Sequence, residues 1–569
     1  MKRALQLITI ACCLSSSVVI AKALPYADTV IINANIYSKV GMDAIAVTDG
    51  MISYLGKVSE IEKKISDRTQ VIDLDGRSVY PGFIDLNNPI FEEGLAAEGS
   101  CPLPPASDFS RVSKVLERCI ASGVTQPWII GFTQSLPELN PPELNDPELM
   151  PRAWLDQLSP ERPVAVIELN SDMVWVNTAA LDAAQYHRYS LNPPGGMIIK
   201  TPDKSVLTGV LLGSAGEEVI NLARKAHPDL CNISYLSLLQ GLAAVAKDGI
   251  TTLGDGRTYW HRGWNQMWEA ALINGDLSAR ITVRPWLYPH LSMKEQLDYF
   301  SAIGRHDLTS KLIVNQVKLN LDGSYVAGTA KLSKPYPAET LASKPQGMFY
   351  ISPPDMSVWL ERLDKIGFGV HVNAMGDEAV KAALNSIQNI RHLEVDQAYS
   401  ISQHGELNPT DIPRFASLSV SADFQVSDDS LSVPSSLQKG QLFSGKLTSG
   451  KGALQALYQA GANITLSSGW GAPRFAPLEG IARILSLGSK GLPDIDAAIA
   501  AYTINPAKAL GLEGITGSID VGKSADFVIL EQDITVLAPE QLAQVEVLMT
   551  MLEGEVVYSN NGDSNSITI

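Results

Sequence analysis

The side chains best suited to chemistry in this 569-residue chain are few, and their spacing is uneven. Of eight histidines, His187, His227, His261, His290, His306 and His392 lack the spacing that places two imidazoles on one ion, so surface or loop roles are expected. His371 precedes Asn373 by two residues inside a β-rich run, so both would lie on one face of a strand. Asp85, Asp322 and Asp377 fall in strand-end loops near glycine, where carboxylates cap helices or bond backbone amides. Lys318 lies four residues before Asp322, and an ion pair between them is the plain reading. Trp175, Trp260, Trp264 and Trp470 could line a pocket, although aromatics in a protein this large more often pack. Cys101 and Cys119 could close a short loop by pairing, or Cys101, Cys119 and Cys231 could remain thiols.

The elements that must position these groups follow two patterns. Residues 28–80 read as short strands around Asp49-Gly50 and Asp75-Gly76, both two-residue hairpin signals. The C-terminal end repeats this, with Phe527–Leu530, Val545–Leu552 and Val556–Tyr558, the last two bracketing Glu553-Gly554. Neither unit can bury its own apolar face, so pairing residues 24–80 with 514–560 as one split β-sandwich is expected. Between them β-rich runs alternate with helical stretches such as Leu236–Lys247 and Asp377–Ile390. The candidate strands are Val164–Glu168, Ile250–Leu253, Ile281–Leu287, Val314–Leu321, Phe368–Val372, Tyr399–Gln403, Leu418–Ala422 and Ile464–Ser468. About eight alternations imply an α/β fold, a closed (β/α)8 TIM barrel over residues 81–513. An insertion occupies about 91–235, and residues 561–569 read as a flexible tail. No glycine-rich phosphate loop follows a strand, which counts against a doubly wound sheet.

Motifs in register extend over most of the chain. They begin with Tyr80-Pro81-Gly82-Phe83-Ile84-Asp85 and continue through Trp128-Ile129-Ile130-Gly131, Trp175-Val176-Asn177 and Pro194-Gly195-Gly196. Val317-Lys318 with Asp322-Gly323-Ser324, Met375-Gly376-Asp377 and Asp411-Ile412-Pro413-Arg414-Phe415 follow. Thr503-Ile504-Asn505-Pro506-Ala507 and Gly522-Lys523-Ser524-Ala525-Asp526 close the series. In these motifs the chain resembles the family-3 branch of the amidohydrolase superfamily, the branch that includes N-substituted formamide deformylase. The resemblance implies a TIM barrel with a split β-sandwich, and hydrolysis at a divalent metal of the zinc class at the barrel mouth. There the metal acidifies a bound water while an aspartate moves protons.

The same resemblance locates the metal positions, and most carry other residues. Two histidines at the end of the first barrel strand are replaced by Asn87 and Pro89, and the histidine before the Met375 motif by Asn373. The aspartate of a Gly-Ser-Asp motif is replaced by Gly469, which cannot accept a proton. Lys318 and His404 are what remains of the implied metal site, and two ligands on separate strands make a poor catalytic zinc site. His371 as a substitute ligand would sit roughly 7 Å deeper than position 373, at about 3.3 Å of rise per residue. On the substrate side Asp172 stands for a histidine and Gly213 for a glutamate. Asp172, Trp175, Asp322 and His371 are the candidate ligand-binding residues.

Composition bounds the partners. Lys2 and Arg3, the apolar run Leu5–Ile20 and Ala21-Lys22-Ala23 read as a signal peptide over residues 1–23, cleaved near Ala23, with a periplasmic or secreted destination. Its removal takes Lys2, Arg3 and Lys22 and moves the net charge from −17 to −20. That charge counts against nucleic acid and anionic membranes, and no segment is long and apolar enough to span one. A small-molecule ligand or substrate is expected, and oligomeric state stays open. Two functions are expected in turn: a ligand- or partner-binding pseudoenzyme without cofactor, or a divergent hydrolase of carbon–nitrogen bonds using one divalent ion or a metal-free acid/base.

Overall fold

The computed structural model describes residues 26–91, 101–104, 109–122, 127–133, 150–168, 173–227, 230–336, 341–342, 344–391, 397–402, 406–426, 448–469 and 476–560. Within them the chain forms eight barrel strands: β1 (Phe83–Asn88), β2 (Ile250–Asp255), β3 (Arg280–Thr282), β4 (Gln316–Asn320), β5 (Gly369–Asn373), β6 (Tyr399–Ser402), β7 (Val420–Gln425) and β8 (Ile464–Ser467). A helix follows each: α1 (Leu230–Lys247), α2 (Trp264–Asn274), α3 (Met293–Ile303), α4 (Pro353–Lys365), α5 (Asp377–Arg391), α6 (Ile412–Ser417), α7 (Gly450–Gln459) and α8 (Pro477–Ser486).

Parallel pairing joins β1 to β3 in one sheet and β4 to β8 in another. Backbone bonds link the two at both seams. Lys318 N–H donates to Pro285 O and Leu287 N–H to Lys318 O, while Gly469 N–H donates to Asn87 O at 3.0 Å. Two-residue periodicity then sorts the side chains. Val317, Leu319, Val370, Val372, Ile401 and Phe424 are buried in one apolar cluster with Leu360, Leu363 and Ile387 of the helices. The alternate positions, Gln316, Lys318, Asn320, His371, Asn373, Ser402 and Asp423, are buried and polar. The barrel interior is therefore lined by hydrogen-bonding groups where branched aliphatics commonly fill it.

The sandwich is built from both ends of the chain. One sheet orders Met51–Gly56, Ala44–Thr48, Thr29–Ile32 and Gln70–Asp73. The other carries Asn35–Ile36 and Ser78–Pro81 beside Phe527–Leu530, Val547–Leu552 and Glu555–Ser559. Ile31, Ile45, Val79, Phe527, Ile529 and Met549 fill the space between the sheets. Asp49-Gly50 and Glu553-Gly554 close hairpins with positive φ at both residues, as a type I′ turn requires. Asp75-Gly76 has the same backbone, but its flanking strands enter different sheets, so the expected hairpin is instead the link between layers.

One candidate barrel strand is reassigned. Val164–Glu168 pairs in parallel with Ile129–Thr133 and antiparallel to Met173–Val176, inside a six-stranded sheet inserted between β1 and α1. The barrel's first strand is Phe83–Asn88. A β-rich run states that a strand forms and not which sheet accepts it. Cys101 and Cys119 are paired within the insertion, their Cα atoms 5.8 Å apart, tying an edge strand to the helix Phe109–Ser122. Among the described residues no helix is long and apolar enough to cross a membrane.

Candidate active site

Lys318, on β4, is 1% exposed, and its Nζ donates to Asn87 Oδ1 at 3.2 Å. Burial holds its amine well below the usual lysine range, and the Arg284 guanidinium adds to this, against the opposing pull of Asp423. Register places His371 beside Lys318 on β5. His371 is fully buried, with Nδ1 at 2.8 Å from Ser400 Oγ and Nε2 at 3.0 Å from Ser402 Oγ. Asp423 on β7 lies 3.8 Å from the same Nε2 and accepts from Thr465 Oγ1 at 2.9 Å and Ser467 Oγ at 3.0 Å. Burial pushes the Asp423 carboxyl up to about 6, with Lys318 opposing. Arg284, fully buried, donates through Nε to Gln316 Oε1 at 2.9 Å and through Nη1 to Leu86 O at 2.5 Å. A lysine, a histidine and a carboxylate thus meet in the buried barrel interior, Lys318 and His371 at mid-strand and Asp423 one pleat further toward the C-terminal end.

The replaced positions are occupied with internal bonds. Asn373 Nδ2 donates to Asn320 Oδ1 at 2.7 Å, and its Oδ1 accepts from the Ser402 hydroxyl. Pro89 follows β1 with no side-chain donor atom. Gly469 adopts φ +70°, and a Cβ there would collide with the Gln425 side chain. Asp85 accepts from Ser468 N–H and Oγ and from Asn88 Nδ2, bracing β1 against the end of β8.

Several candidates have other tasks. Asp322 does not present a free carboxylate to a ligand or to Lys318. Its oxygens accept from the backbone N–H groups of Lys331, Met375 and Gly376 at 2.7–2.9 Å, holding the β4 and β5 loops together. Asp377 likewise accepts from Ser333 N–H. Trp175 is fully buried, edge-on to Trp154 at 6.1 Å, in a cluster that also takes Ala327 and Ala342 from the loop after β4. His371 does not offer a ring nitrogen to a ligand while both nitrogens face serine hydroxyls. Asp172 and His404 lie outside the described residues.

Asp423, Ser402 and Arg284 were not among the candidates. A signal existed: Ser421, Asp423 and Gln425 alternate with Val420, Ala422 and Phe424, an unusual polar stripe in a strand of a buried barrel. The described residues do not fit a catalytic zinc. The donor atoms of Asn87, Asn373 and His371 are already engaged by neighbouring side chains, and among the described residues no group of three or more His, Cys, Asp or Glu could hold a metal.

A model of the Amidohydrolase family matches residues 70–558. The chain belongs to the amidohydrolase family. This amidohydrolase is 23% identical to an N-substituted formamide deformylase of Arthrobacter pascens, over 94% of its own length and 99% of that protein. It is 26% identical to the protein LONG AFTER FAR-RED 3 of Arabidopsis thaliana, over 94% of its length and 92% of that relative. Its fold is similar to that of an uncharacterized metal-dependent hydrolase from Pyrococcus horikoshii, with a TM-score of 0.65 at 19% identity, covering 90% of this chain and 99% of that one. The amidohydrolase fold therefore frames a barrel interior that carries Lys318, His371 and Asp423.

Proposed function

We propose that this amidohydrolase cleaves a carbon–nitrogen bond other than a peptide bond, in a small N-acyl or N-formyl amine, without the zinc set usual to its relatives. The observation that carries the reading is Lys318. Burial beside Arg284 favours its uncharged amine, in the barrel interior beneath the end where such enzymes do chemistry. An uncharged amine accepts a proton from attacking water. Asp423, whose carboxyl burial raises to about 6, is a nearby group able to return one to the departing nitrogen. Family membership supports the reaction class, and the formamide named for one relative selects the first probe.

The test is formate release from a panel of N-formyl amines, by protein purified with zinc and manganese and assayed for both metals. Turnover at substoichiometric metal is expected. Turnover that tracks one bound metal per chain would restore ordinary metal hydrolysis and overturn the metal-free part of the reading.

A second reading is a binding protein that has given up turnover. It is favoured by the engagement of Asn87 and Asn373 with neighbouring side chains and by Gly469, which has no base to offer. Absence of turnover, with an unfolding temperature raised by the same compounds, would select it. The N-terminal residues 1–23 we read as an export signal. The Cys101–Cys119 bridge supports an oxidising destination, and a mature chain beginning at Leu24 is the expected mass-spectrometric result.

A further inference from the structure

The strand Cys101–Pro102 is one edge of the inserted six-stranded sheet, and the helix Phe109–Ser122 packs beside it. Between them lies a groove of about 460 Å³, the size of a small-molecule site. One wall is Pro102, Leu103 and Pro104, and the other is the helix face that carries Lys114, Val115 and Arg118. The Cys101–Cys119 bridge ties the two walls together, because its cysteines are the sequence neighbours of Pro102 and Arg118. Lys114 and Arg118 are exposed, and among the described residues neither forms an ion pair. Arg118 Nε donates to Lys114 O at 3.2 Å, which lays its arm along the helix. The two cations stand one helical turn apart, about 6 Å along the axis. Arg111 lines the same groove but has other partners and is left out of the count. Glu117, on the same helix, does not line it.

We infer that this groove binds a small dianion with an apolar body, its two acidic groups set about one helical turn apart. Charge decides the size. The chain carries a net charge of −17, so a long polyanion or an anionic membrane would meet acidic surface beyond the groove, whereas a small ligand meets the cations alone. A peptide strand is a poor occupant of this edge, because Pro102 and Pro104 have no N–H to offer it. Pro102, Pro104 and the half-buried Val115 instead offer apolar surface beside the two charges. The site takes no part in the proposed hydrolysis and stands apart from that reading.

The probe is terephthalate, with benzoate as its single-charge counterpart, and binding to the full chain is followed by ligand-observed NMR. Terephthalate should bind about tenfold more tightly than benzoate, and Lys114→Gln with Arg118→Gln should remove that advantage, about what two exposed ion pairs supply. Either substitution alone should lose about threefold, and decides the matter if the double variant does not fold. Glu117→Gln should change binding by less than about twofold; a larger change would reduce the effect to overall charge and overturn the groove. Equal binding of the two acids, or undiminished terephthalate binding in the double variant, also overturns the inference. So does binding that Lys318→Met abolishes and the double variant spares, since the ligand would then sit in the barrel. Vesicles of phosphatidylglycerol that bind the parent and displace terephthalate would make this surface a membrane contact, and would overturn the small ligand as its occupant.

Discussion

The two ends of the barrel handle buried charge in opposite ways. At the N-terminal end Arg280, the first residue of β3, donates to Asp526 Oδ2 at 2.6 Å and to Glu553 Oε1 at 3.0 Å, and its Nη2 reaches Ser524 Oγ at 3.2 Å. The Arg280–Asp526 pair is 1% exposed on both sides, and Asp526 also takes the Ser524 hydroxyl and Glu553 N–H. Apart from Thr252 Oγ1 of β2 at 3.5 Å, these partners come from the sandwich, so this cation fastens the barrel floor to it. Its two acids hold Arg280 above the usual range although burial alone would lower it. At the mouth the balance is reversed: Lys318 is held low, Asp423 and Asp255 are pushed up to about 6, and burial is the leading cause each time. The floor satisfies its charges, and the mouth leaves them under strain. Barrels place stability at the first end and chemistry at the second, and here the protonation states report the division.

Breaking the floor should have the largest effect. Arg280→Met leaves Asp526 buried without its cation and should cost about 3–5 kcal/mol, read from urea unfolding. Removing Asp526 as well, as Asp526→Leu, should recover part of that loss, because an apolar pair replaces a buried ion pair at little cost. At the mouth the sign inverts. Asp255 takes bonds from Thr258 Oγ1 and Trp268 Nε1, yet burial raises its carboxyl from 3.8 to about 6. A folded value above the unfolded one gives stability that is present below pH 3.8 and lost as pH rises through 6. Asp255→Asn should therefore exceed the parent by as much as about 3 kcal/mol at pH 7 and match it near pH 4. Urea midpoints of both proteins at pH 4, 5.5 and 7 check this; a parent that gains on the variant as pH rises would refute it.

The floor was legible in the amino-acid sequence in a way the mouth was not. Gly522-Lys523-Ser524-Ala525-Asp526 is a local motif whose members bond one another, so contiguous residues announce it. Strand alternation likewise gave seven of the eight barrel strands, because apolar residues at every second position need helices against them. The mouth is assembled from single residues on β1, β4, β5 and β7. Which of these meet depends on the stagger of a closed barrel, a quantity no local pattern carries. Asn87, Asn373 and Gly469 could be located by resemblance, but their bonds to Lys318, Asn320 and Asn87 O could not. Asp423 went unnoticed because it occupies a strand the resemblance gave no reason to inspect. Trp175 lies in a cluster that joins the insertion to Ala327 and Ala342 of the loop after β4, a meeting of distant segments that no local pattern shows.

Introducing the residues that the family resemblance implies tests whether this mouth can accept them. Gly469→Asp puts a side chain at φ +70° and against Gln425, and should cost about 1–3 kcal/mol. Gln425→Ser in the same chain should relieve part of that cost, and a set restoring histidine at 87, 89 and 373 with aspartate at 469 should bind zinc only when Gln425 is shortened too. Equal zinc uptake with and without Gln425→Ser would show that Gln425 sets no barrier.

The smallest change in stability is expected where the change in activity is greatest. Lys318→Met removes an amine that burial already disfavours as a cation and substitutes apolar volume, so unfolding should stay within about 1 kcal/mol of the parent. The bond lost by Asn87 Oδ1 opposes any gain from the buried charge that is no longer there. Formate release, however, should fall to background, because no other described side chain at that level carries an amine. The contrast with Arg280 is then complete: one buried cation whose loss costs about 3–5 kcal/mol of stability, and one whose loss leaves the fold intact and idle. A Lys318→Met protein as unstable as Arg280→Met would place both cations in the scaffold, and would remove the amine as the reason for the strained mouth.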